Sequence, residues 1–352
     1  MSDLFDYKKE MSELRFSENQ KKILAATAAS AAQGTGAKRR RPVFRTALIA
    51  AAMAAALVVG SSAAGILPSP AEIFAPLFGG SVAQTEVIDK IGRPIGASDT
   101  DGGITITAEA IMGDQYNAVI VYTLTRDDGE RFLPEGQGLD EKHLMMGGFG
   151  GASWIKGGAH GGSWFVDEDP EDNQIQLVET ASSDVAMTKG TANASFENLR
   201  YWDAEADRDE ILYPGKWKLR FEVDYEDCSV RLGGGETFSQ DGLNFTIEEI
   251  SVSPIAIRAA YTADEAVVWS DAPSGRQDPE DARQSQRYLE NIRILLTKTD
   301  GTVVDLSSSG GSIAPKDGVS VCAKGQVLEE IIPLEDMASI SVGGVTYDIP
   351  HT

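Results

Sequence analysis

Cysteine and histidine are scarce in this chain, which has two cysteines and three histidines among 352 residues. Cys228 and Cys322 are too few for a disulfide framework, so separate thiols are the expected state, with a single bridge as the alternative. The three histidines share no ligand spacing, and no metal site is predicted. Because no Gly-x-Ser-x-Gly motif or other nucleophile-and-base pattern is present, we predict neither a cofactor nor an enzymatic activity.

Basic side chains are also few, with 31 Lys and Arg against 54 Asp and Glu, and they are unevenly placed. Residues 1–45 hold ten basic and five acidic side chains, whereas the rest of the chain holds 21 and 49. Nucleic-acid binding requires a basic face that displaces counterions from phosphate. The acidic composition after residue 45 therefore argues against nucleic acid as a ligand of that part.

Residues 46–67 contain no charged residue over 22 positions. They follow a basic cluster that consists of Lys38, Arg39, Arg40, Arg41 and Arg45. A helix of that length measures about 33 Å, enough to cross a hydrocarbon core of about 30 Å. Since basic residues collect on the cytoplasmic side, we predict a retained transmembrane helix with the amino terminus inside the cell. A cleaved signal peptide and a buried core helix are the alternatives, and the first is disfavoured by the long segment that precedes the apolar stretch.

Residues 1–45 are predicted to be a cytoplasmic tail with one helix, over residues 12–32. Its apolar positions form a narrow stripe that consists of Leu14, Phe16, Ile23 and Leu24. Such a helix cannot bury enough surface to be a domain by itself. It either docks on a cytoplasmic partner through this stripe or is a frayed tail that only orients the membrane helix.

Residues 68–100 are predicted to be a linker, because three prolines follow the apolar stretch closely. One short helix and a second helix from Ser81 to Ile91 are expected within it. Phe74, Leu77 and Phe78 are expected to pack against the first folded domain, with the membrane interface as the alternative.

From residue 101 the pattern changes to that of β-strands. Residues 104–108 alternate apolar and polar, and residues 118–125 are rich in β-branched side chains. The longest alternation puts one set of side chains on one face of a strand: Trp217, Leu219, Phe221, Val223 and Tyr225. A strict alternation of this length predicts an antiparallel sheet with one buried face and one solvent-exposed face.

Sequence echoes predict two related β-sandwich domains in tandem, over residues 101–232 and 236–350, with the glycines at 233–235 as a linker. The segment that starts at Asp241 resembles the one that starts at Asp101, and residues 256–262 resemble residues 118–123. A third echo relates residues 296–301 to residues 124–129. Short strands with turn signals and almost no long helix fit sandwiches of about 100 residues each.

The glycine-rich stretch 145–164 lacks the lysine and the following helix of a phosphate-binding loop, so mobile loops or glycine-interrupted strands are expected. Trp154 and Trp164 could instead floor a ligand groove, and with Trp202 they support an alternative as a carbohydrate binder or enzyme. The acidic run 167–173 lacks the glycine and glutamate that a calcium loop needs, which favours a solvated loop.

Residues 77–80, 87–96, 103–107 and 118–122 carry a resemblance to a known family. Through them the region after the predicted span resembles the domain-of-unknown-function 4179 family, single-pass membrane proteins of Gram-positive bacteria. Residues 245–247, 332–334 and 340–342 are similar to the immunoglobulin-like domain that often follows it. Members are described as anti-sigma-factor-like, which implies a cytoplasmic tail that holds a sigma factor and an outer region that senses the envelope.

These observations together predict a mainly β chain: two tandem immunoglobulin-like β-sandwich domains outside the cell, behind one transmembrane helix and a short helical cytoplasmic tail. The expected function is that of a single-pass, anti-sigma-factor-like signalling protein in the cell membrane. Its expected partners are the bilayer, a sigma factor and an unidentified outer ligand. The alternative is a structural or adhesive envelope module whose tail only anchors it.

Overall fold

The computed structural model describes residues 67–135, 139–147, 152–155, 158–203, 206–271 and 278–351. This part of the chain is mainly β, as predicted. Its helices are α1 (Pro70–Phe78), α2 (Val82–Ile91) and α3 (Pro279–Ser285), with a π-helical turn at Gln286–Glu290 and 3-10 turns at Glu141–His143 and Leu334–Asp336. Its strands are β1 (Arg93–Asp101), β2 (Ile104–Gly113), β3 (Asn117–Arg126), β4 (Leu144–Gly147), β5 (Ala159–Val166), β6 (Gln174–Ser183), β7 (Gly190–Asp203), β8 (Arg208–Val223), β9 (Val230–Leu232), β10 (Thr237–Gln240), β11 (Leu243–Val252), β12 (Ala256–Ala263), β13 (Ile294–Lys298), β14 (Val303–Asp305), β15 (Gly311–Lys316), β16 (Val319–Val327), β17 (Met337–Val342) and β18 (Val345–Asp348).

The first sheet pair consists of a five-stranded antiparallel sheet, in the order β1-β2-β3-β6-β5, and a three-stranded sheet, β4-β7-β8. The two sheets share one hydrophobic core. The alternation predicted around Trp217 is confirmed, because its apolar side chains are all buried while the residues between them are exposed. Trp217 is fully buried, and its indole Nε1 donates to the carbonyl of Ile104, 2.9 Å away.

The larger sheet of the second pair repeats the strand order of the first, whereas its smaller sheet has four strands instead of three. Its larger sheet runs β10-β11-β12-β16-β15, with β9 also paired to β11, and its smaller sheet runs β14-β13-β17-β18. Strands β10, β11, β12, β15 and β16 thus take the places of β1, β2, β3, β5 and β6. The two sequence echoes that begin at Asp241 and at residue 256 fall on equivalent strands. The third echo joins the end of β3 to β13, which are not equivalent.

The first hairpin of each larger sheet turns through two residues of positive φ. These are Gly102 and Gly103 at +59° and +82° in one, and Asp241 and Gly242 at +50° and +79° in the other. Two successive residues in this region make the turn whose twist matches that of the flanking strands. In the first pair the first of these positions is also glycine, because a Cβ on Gly102 would lie 2.0 Å from the carbonyl oxygen of Pro214.

Residues 68–100, predicted to be a linker, are folded. They form α1, α2 and nearly all of β1, and β1 pairs with β2 along its length. Ser69 and Ser81 each accept a hydrogen bond from the third residue of the helix that follows, and Pro70 occupies the first turn of α1. The helix predicted from Ser81 is confirmed as α2. The linker prediction failed because prolines at a helix start were interpreted as breakers.

The two helices pack in a third hydrophobic cluster, between the two larger sheets. Phe74 of α1 and Ile88 of α2 are fully buried there. They meet Val119 on the outer face of the first sheet, together with Ile255 and Ile331 of the second sheet pair. The first sheet is therefore covered on both faces, which explains why β3 is apolar almost without interruption. The packing expected for Phe74 and Phe78 is confirmed.

The second sheet pair begins before the glycines predicted as a linker. Strand β9 (Val230–Leu232) pairs with β11 and precedes residues 233–235. Those glycines have positive φ and form a turn that leads to β10. The change from one sheet pair to the other thus lies between the end of β8 and the start of β9.

Within the described residues, none of the helices has the length and apolar character needed to cross a bilayer. The predicted span over residues 46–67 lies outside them except for Leu67. The predicted tail helix, its apolar stripe and the basic cluster also lie outside the described residues.

Candidate functional site

Equivalent hairpin turns of the two sheet pairs meet at their junction. Asp114 begins the turn between β2 and β3, and Ser253 begins the turn between β11 and β12. The Ser253 hydroxyl donates to Asp114 Oδ2 at 2.6 Å. Each side chain also caps its own turn: Asp114 Oδ1 accepts from the backbone N–H of Asn117 at 2.7 Å, and Ser253 Oγ accepts from that of Ala256 at 3.0 Å. Burial raises the pKa of Asp114, against the effect of these donors.

Charged and aromatic side chains extend the junction on both sides of this contact. Tyr116 donates from its hydroxyl to Glu249 Oε1 at 3.0 Å, and the Arg258 guanidinium lies 4.2 Å from the centroid of the Tyr116 ring. Ser312 of the second pair donates to Asp184 Oδ1 of the first at 2.8 Å. These contacts hold the two sheet pairs in one arrangement.

A groove of about 550 Å³ opens where the two larger sheets diverge beside α1. Its floor is the outer face of β5 and β6. Directly paired residues of antiparallel strands project to the same face, and the pairs here are His160 with Ser182, Gly162 with Thr180, and Trp164 with Val178. Val178 is buried under the helices, whereas 43% of Trp164 is exposed.

The walls of the groove come from three parts of the fold. Leu77 and Phe78 close it at the end of α1, and residues 325–329 of β16 and the following turn face them. The Phe78 ring meets Trp164 edge to face, with the centroids 6.5 Å apart. The carbonyl of Phe78 accepts from the backbone N–H of Ile331 at 2.8 Å, and Gln84 Nε2 donates to the Ile331 carbonyl at 2.9 Å. The aromatic wall is thus held by both helices and by the second sheet pair.

The groove presents hydroxyl and amide groups with little charge. Of the described residues that line it, Glu329 carries the one full charge, and none is lysine or arginine. Ser182 donates its hydroxyl hydrogen to Asn117 Oδ1 at 2.7 Å, so its oxygen faces a ligand as an acceptor. The lining therefore offers hydrogen-bond donors and acceptors to a ligand.

A buried carboxylate lies in the core of the first sheet pair. Glu179 of β6 accepts from the Tyr122 hydroxyl at 2.8 Å and from the backbone N–H of Ala152 at 3.0 Å. Burial raises its pKa above the ordinary value. Both carboxylate oxygens have partners, which marks Glu179 as a structural group.

A buried ammonium group lies in the core of the second sheet pair. Lys324 of β16 is fully buried, and its Nζ donates to the carbonyls of Leu289, Ile292 and Ser307 at 2.7, 2.8 and 2.6 Å. The Leu289 carbonyl lies in the π-helical turn after α3 and the Ile292 carbonyl lies just beyond it, at the negative end of the helix dipole. Burial lowers the pKa of Lys324 to about 8. Since its hydrogens are all used inside the core, this lysine stabilises the fold.

The structure separates the three tryptophans that the sequence grouped as candidates. Trp164 lies in the groove, Trp154 packs against the first core, and Trp202 is exposed at the end of the β7–β8 hairpin. The sequence analysis did not single out Thr180 or Ser182. The sequence signal for these two residues is weak. They are small polar residues that follow the apolar Val178 at intervals of two, and the sequence does not show which strands lie beside theirs.

The remaining sequence predictions concern cysteines, the glycine-rich stretch and the acidic run. Cys228 and Cys322 are separate thiols, as expected. The described parts of residues 145–164 include most of β4 and β5, which are glycine-interrupted strands as predicted. Residues 167–173 form the mostly exposed loop between β5 and β6. In the ranges that the structure describes, no group of three or more His, Cys, Asp or Glu is arranged to hold a metal ion.

Comparison with known proteins gives little further information. No family model matches the chain, and no curated protein matches it significantly. Among solved structures, the conserved domain protein from Bacillus anthracis is similar over 77% of this chain and 83% of its own, at 14% identity and a TM-score of 0.49. A similarity at this level supports no argument about function.

Proposed function

We propose that this protein is a non-enzymatic, single-pass membrane signalling protein, anti-sigma-factor-like, whose outer region binds an envelope ligand. The inner tail, residues 1–45, would hold a cytoplasmic regulator through Leu14, Phe16, Ile23 and Leu24. The basic cluster and the uncharged stretch 46–67 support the anchor and its orientation. The strand order that the two larger sheets share supports two related β-sandwiches, which we take to be immunoglobulin-like and outside the cell.

The observation that carries the proposal is the position of the groove between the two sheet pairs and α1. Its walls come from both sheet pairs and from α1, and α1 begins three residues after the predicted span ends. A ligand in the groove therefore contacts both sheet pairs and the first helix beyond the predicted span at once. Ligand sites commonly occupy such boundaries between packed units.

Retention of a sigma factor by the full-length chain tests the inner half of the proposal. We expect purification of the tagged chain from the cells that make it to retain a sigma factor. Aspartate at Leu14, Phe16, Ile23 and Leu24 should abolish retention, because a charge on the apolar stripe removes the buried contact. The control is Glu18→Gln on the same predicted helix, which should retain the sigma factor. A wild-type chain that retains none would refute this role.

Labelling of intact cells tests the topology. Full-length variants carry Gln20→Cys or Asp300→Cys together with Cys228→Ser. Cys322 can remain, because burial raises its pKa to about 12 and its thiol stays protonated. An impermeant maleimide should label position 300 and leave position 20 unlabelled until the cells are lysed. Equal labelling of the two positions would rule out the proposed topology.

A structural or adhesive envelope module is the second candidate. It is favoured by the junction, where Asp114 and Ser253 are buried and hydrogen-bonded, since a fixed arrangement suits a spacer. Deletion of residues 1–36 separates the two candidates. A signalling tail should alter transcription when it is removed, whereas a tail that only anchors should leave it unchanged.

A further inference from the structure

We propose that the groove binds an uncharged saccharide of two or more units, with one sugar ring stacked on Trp164. This proposal rests on the proposed function in taking the groove as the ligand site. It adds the chemical class of the ligand and the residues that select it.

The floor of the groove has the dimensions of a short saccharide. Residues alternate in direction along a strand and rise about 3.3 Å each, so His160 and Trp164 mark the ends of a strip of roughly 13 Å. Gly162 lies between them on the same face. A Cβ at Gly162 would meet no other atom within 4 Å, so the strip has a free slot at its centre. The groove volume of about 550 Å³ lies within the range of small-molecule sites.

The side chains of the floor match the two kinds of surface on a sugar. A pyranose ring has a C–H face, which stacks on an aromatic ring, and a rim of hydroxyl groups. Trp164, 43% exposed, offers an aromatic surface for stacking, and the Phe78 ring packs against it edge to face. Thr180, Ser182 and Gln326 place hydroxyl and amide groups beside it.

The charges around the groove exclude the main competing ligands. Phosphate, sulfate and nucleotide groups need lysine, arginine or a helix amino terminus, and the described lining offers no lysine or arginine. The chain after residue 45, which holds 21 basic and 49 acidic side chains, would also repel an anion. A cationic ligand would be attracted, but Glu329 is a single exposed carboxylate, which screening by salt makes weak. A neutral, hydroxyl-rich ligand remains the best match.

Calorimetry on the full-length chain tests this proposal. The chain is placed in phospholipid nanodiscs, because glycoside detergents would occupy the site. The probes are chitotetraose, maltotetraose and cellotetraose, with spermine as the cationic comparison. We expect saturable binding of at least one tetrasaccharide. Trp164→Ala should weaken it roughly tenfold, the effect of losing one stacking contact. The control Trp202→Ala removes an equally exposed tryptophan outside the groove and should leave binding unchanged.

A second variant fills the slot without removing a side chain. Gly162→Val suits a strand, and its φ is not in the left-handed region. We expect it to weaken binding at least tenfold while the far-ultraviolet circular dichroism stays that of the wild type. Gly190→Val is the matched control, since a Cβ there is also unobstructed and β7 does not line the groove.

The saccharide proposal is overturned by any of three results. These are no saturable binding of the three tetrasaccharides, equal binding by the wild type and both groove variants, or binding of spermine alone. None of these results affects sigma-factor retention or the labelling pattern. The failure of this inference is therefore distinguishable from the failure of the proposed function.

Discussion

Glu179 and Lys324 occupy the same position in the two larger sheets and carry opposite charges. Glu179 pairs across the sheet with the residue two positions before Tyr122, and Lys324 pairs with the residue two positions before Tyr261. Both tyrosines are buried. Both side chains point into the core between two sheets. The two larger sheets thus have a charged residue at the same internal position, with different partners. Glu179 accepts from O–H and N–H donors, whereas Lys324 donates to carbonyl groups.

Lys324→Met should lower the free energy of unfolding by about 2–4 kcal/mol, because at least three buried carbonyls lose their donor. Urea unfolding of the whole chain, followed by tryptophan fluorescence, measures the change. All five tryptophans lie beyond residue 150 and report on the sheet pairs. Lys316→Met, at an exposed position, is the control and should change stability by less than about 0.5 kcal/mol.

The stability difference between the wild type and Lys324→Met should grow as the pH rises above about 8. The pKa of Lys324 is lowered from 10.5 to about 8 in the folded state, so between these values the unfolded chain binds more protons. Stability therefore increases with pH in this window, by at most about 1.4 kcal/mol per pH unit. Unfolding at pH 7.5, 8.5 and 9.5 measures it. A constant difference would contradict the lowered pKa.

Glu179 should give the stability a pH dependence opposite in sign to that of Lys324, and Glu179→Gln should remove it. Burial raises the pKa of Glu179, so the folded chain takes up a proton before the unfolded chain does as the pH falls. The wild type should gain stability relative to Glu179→Gln as the pH falls toward 4.5, the ordinary pKa of this group. Glu168→Gln, in the exposed loop, is the control. Parallel pH curves for the wild type and Glu179→Gln would show that this carboxyl group has an ordinary pKa.

Ser253→Ala should destabilise the chain by about 1–3 kcal/mol. It removes the donor to Asp114 and the acceptor for the backbone N–H groups of Ile255 and Ala256, all in a buried place. Ser239→Ala, which loses one exposed hydrogen bond to Asn244, should cost far less. Equal effects of the two substitutions would mean that the junction contact adds nothing to stability.

Gly102→Asp copies the residue that the second sheet pair has at the equivalent turn position, and it should still destabilise the first pair. The cost of about 1–3 kcal/mol comes from the carbonyl of Pro214, which a Cβ at this position would strike. The reciprocal Asp241→Gly should cost only a few tenths of a kcal/mol. Thermal unfolding of both variants checks this, and a stable Gly102→Asp would show that the β8 backbone can move aside.

Sequence patterns predicted the individual strands well because their signals are local. The alternation around Trp217 and the β-branched stretch of β3 each reflect burial on a nearby face. The position of α1 and α2 between the sheets was not predictable, since it depends on residues as distant as Ile331. The groove was unpredictable for the same reason: Trp164 lines it from the edge strand β5, whereas Trp154 lies in a turn that packs against the first core.

The packing of α1 also determines how the two sheet pairs would bear a mechanical load. A pull on the chain ahead of Pro70 reaches β1 along the covalent backbone through α2. It reaches the second sheet pair just as directly, through the hydrogen bond from Ile331 to Phe78 and the contacts around Phe74. The two sheet pairs would thus share the tension. Neither could unfold from that end before α1 and α2 separate from the sheets.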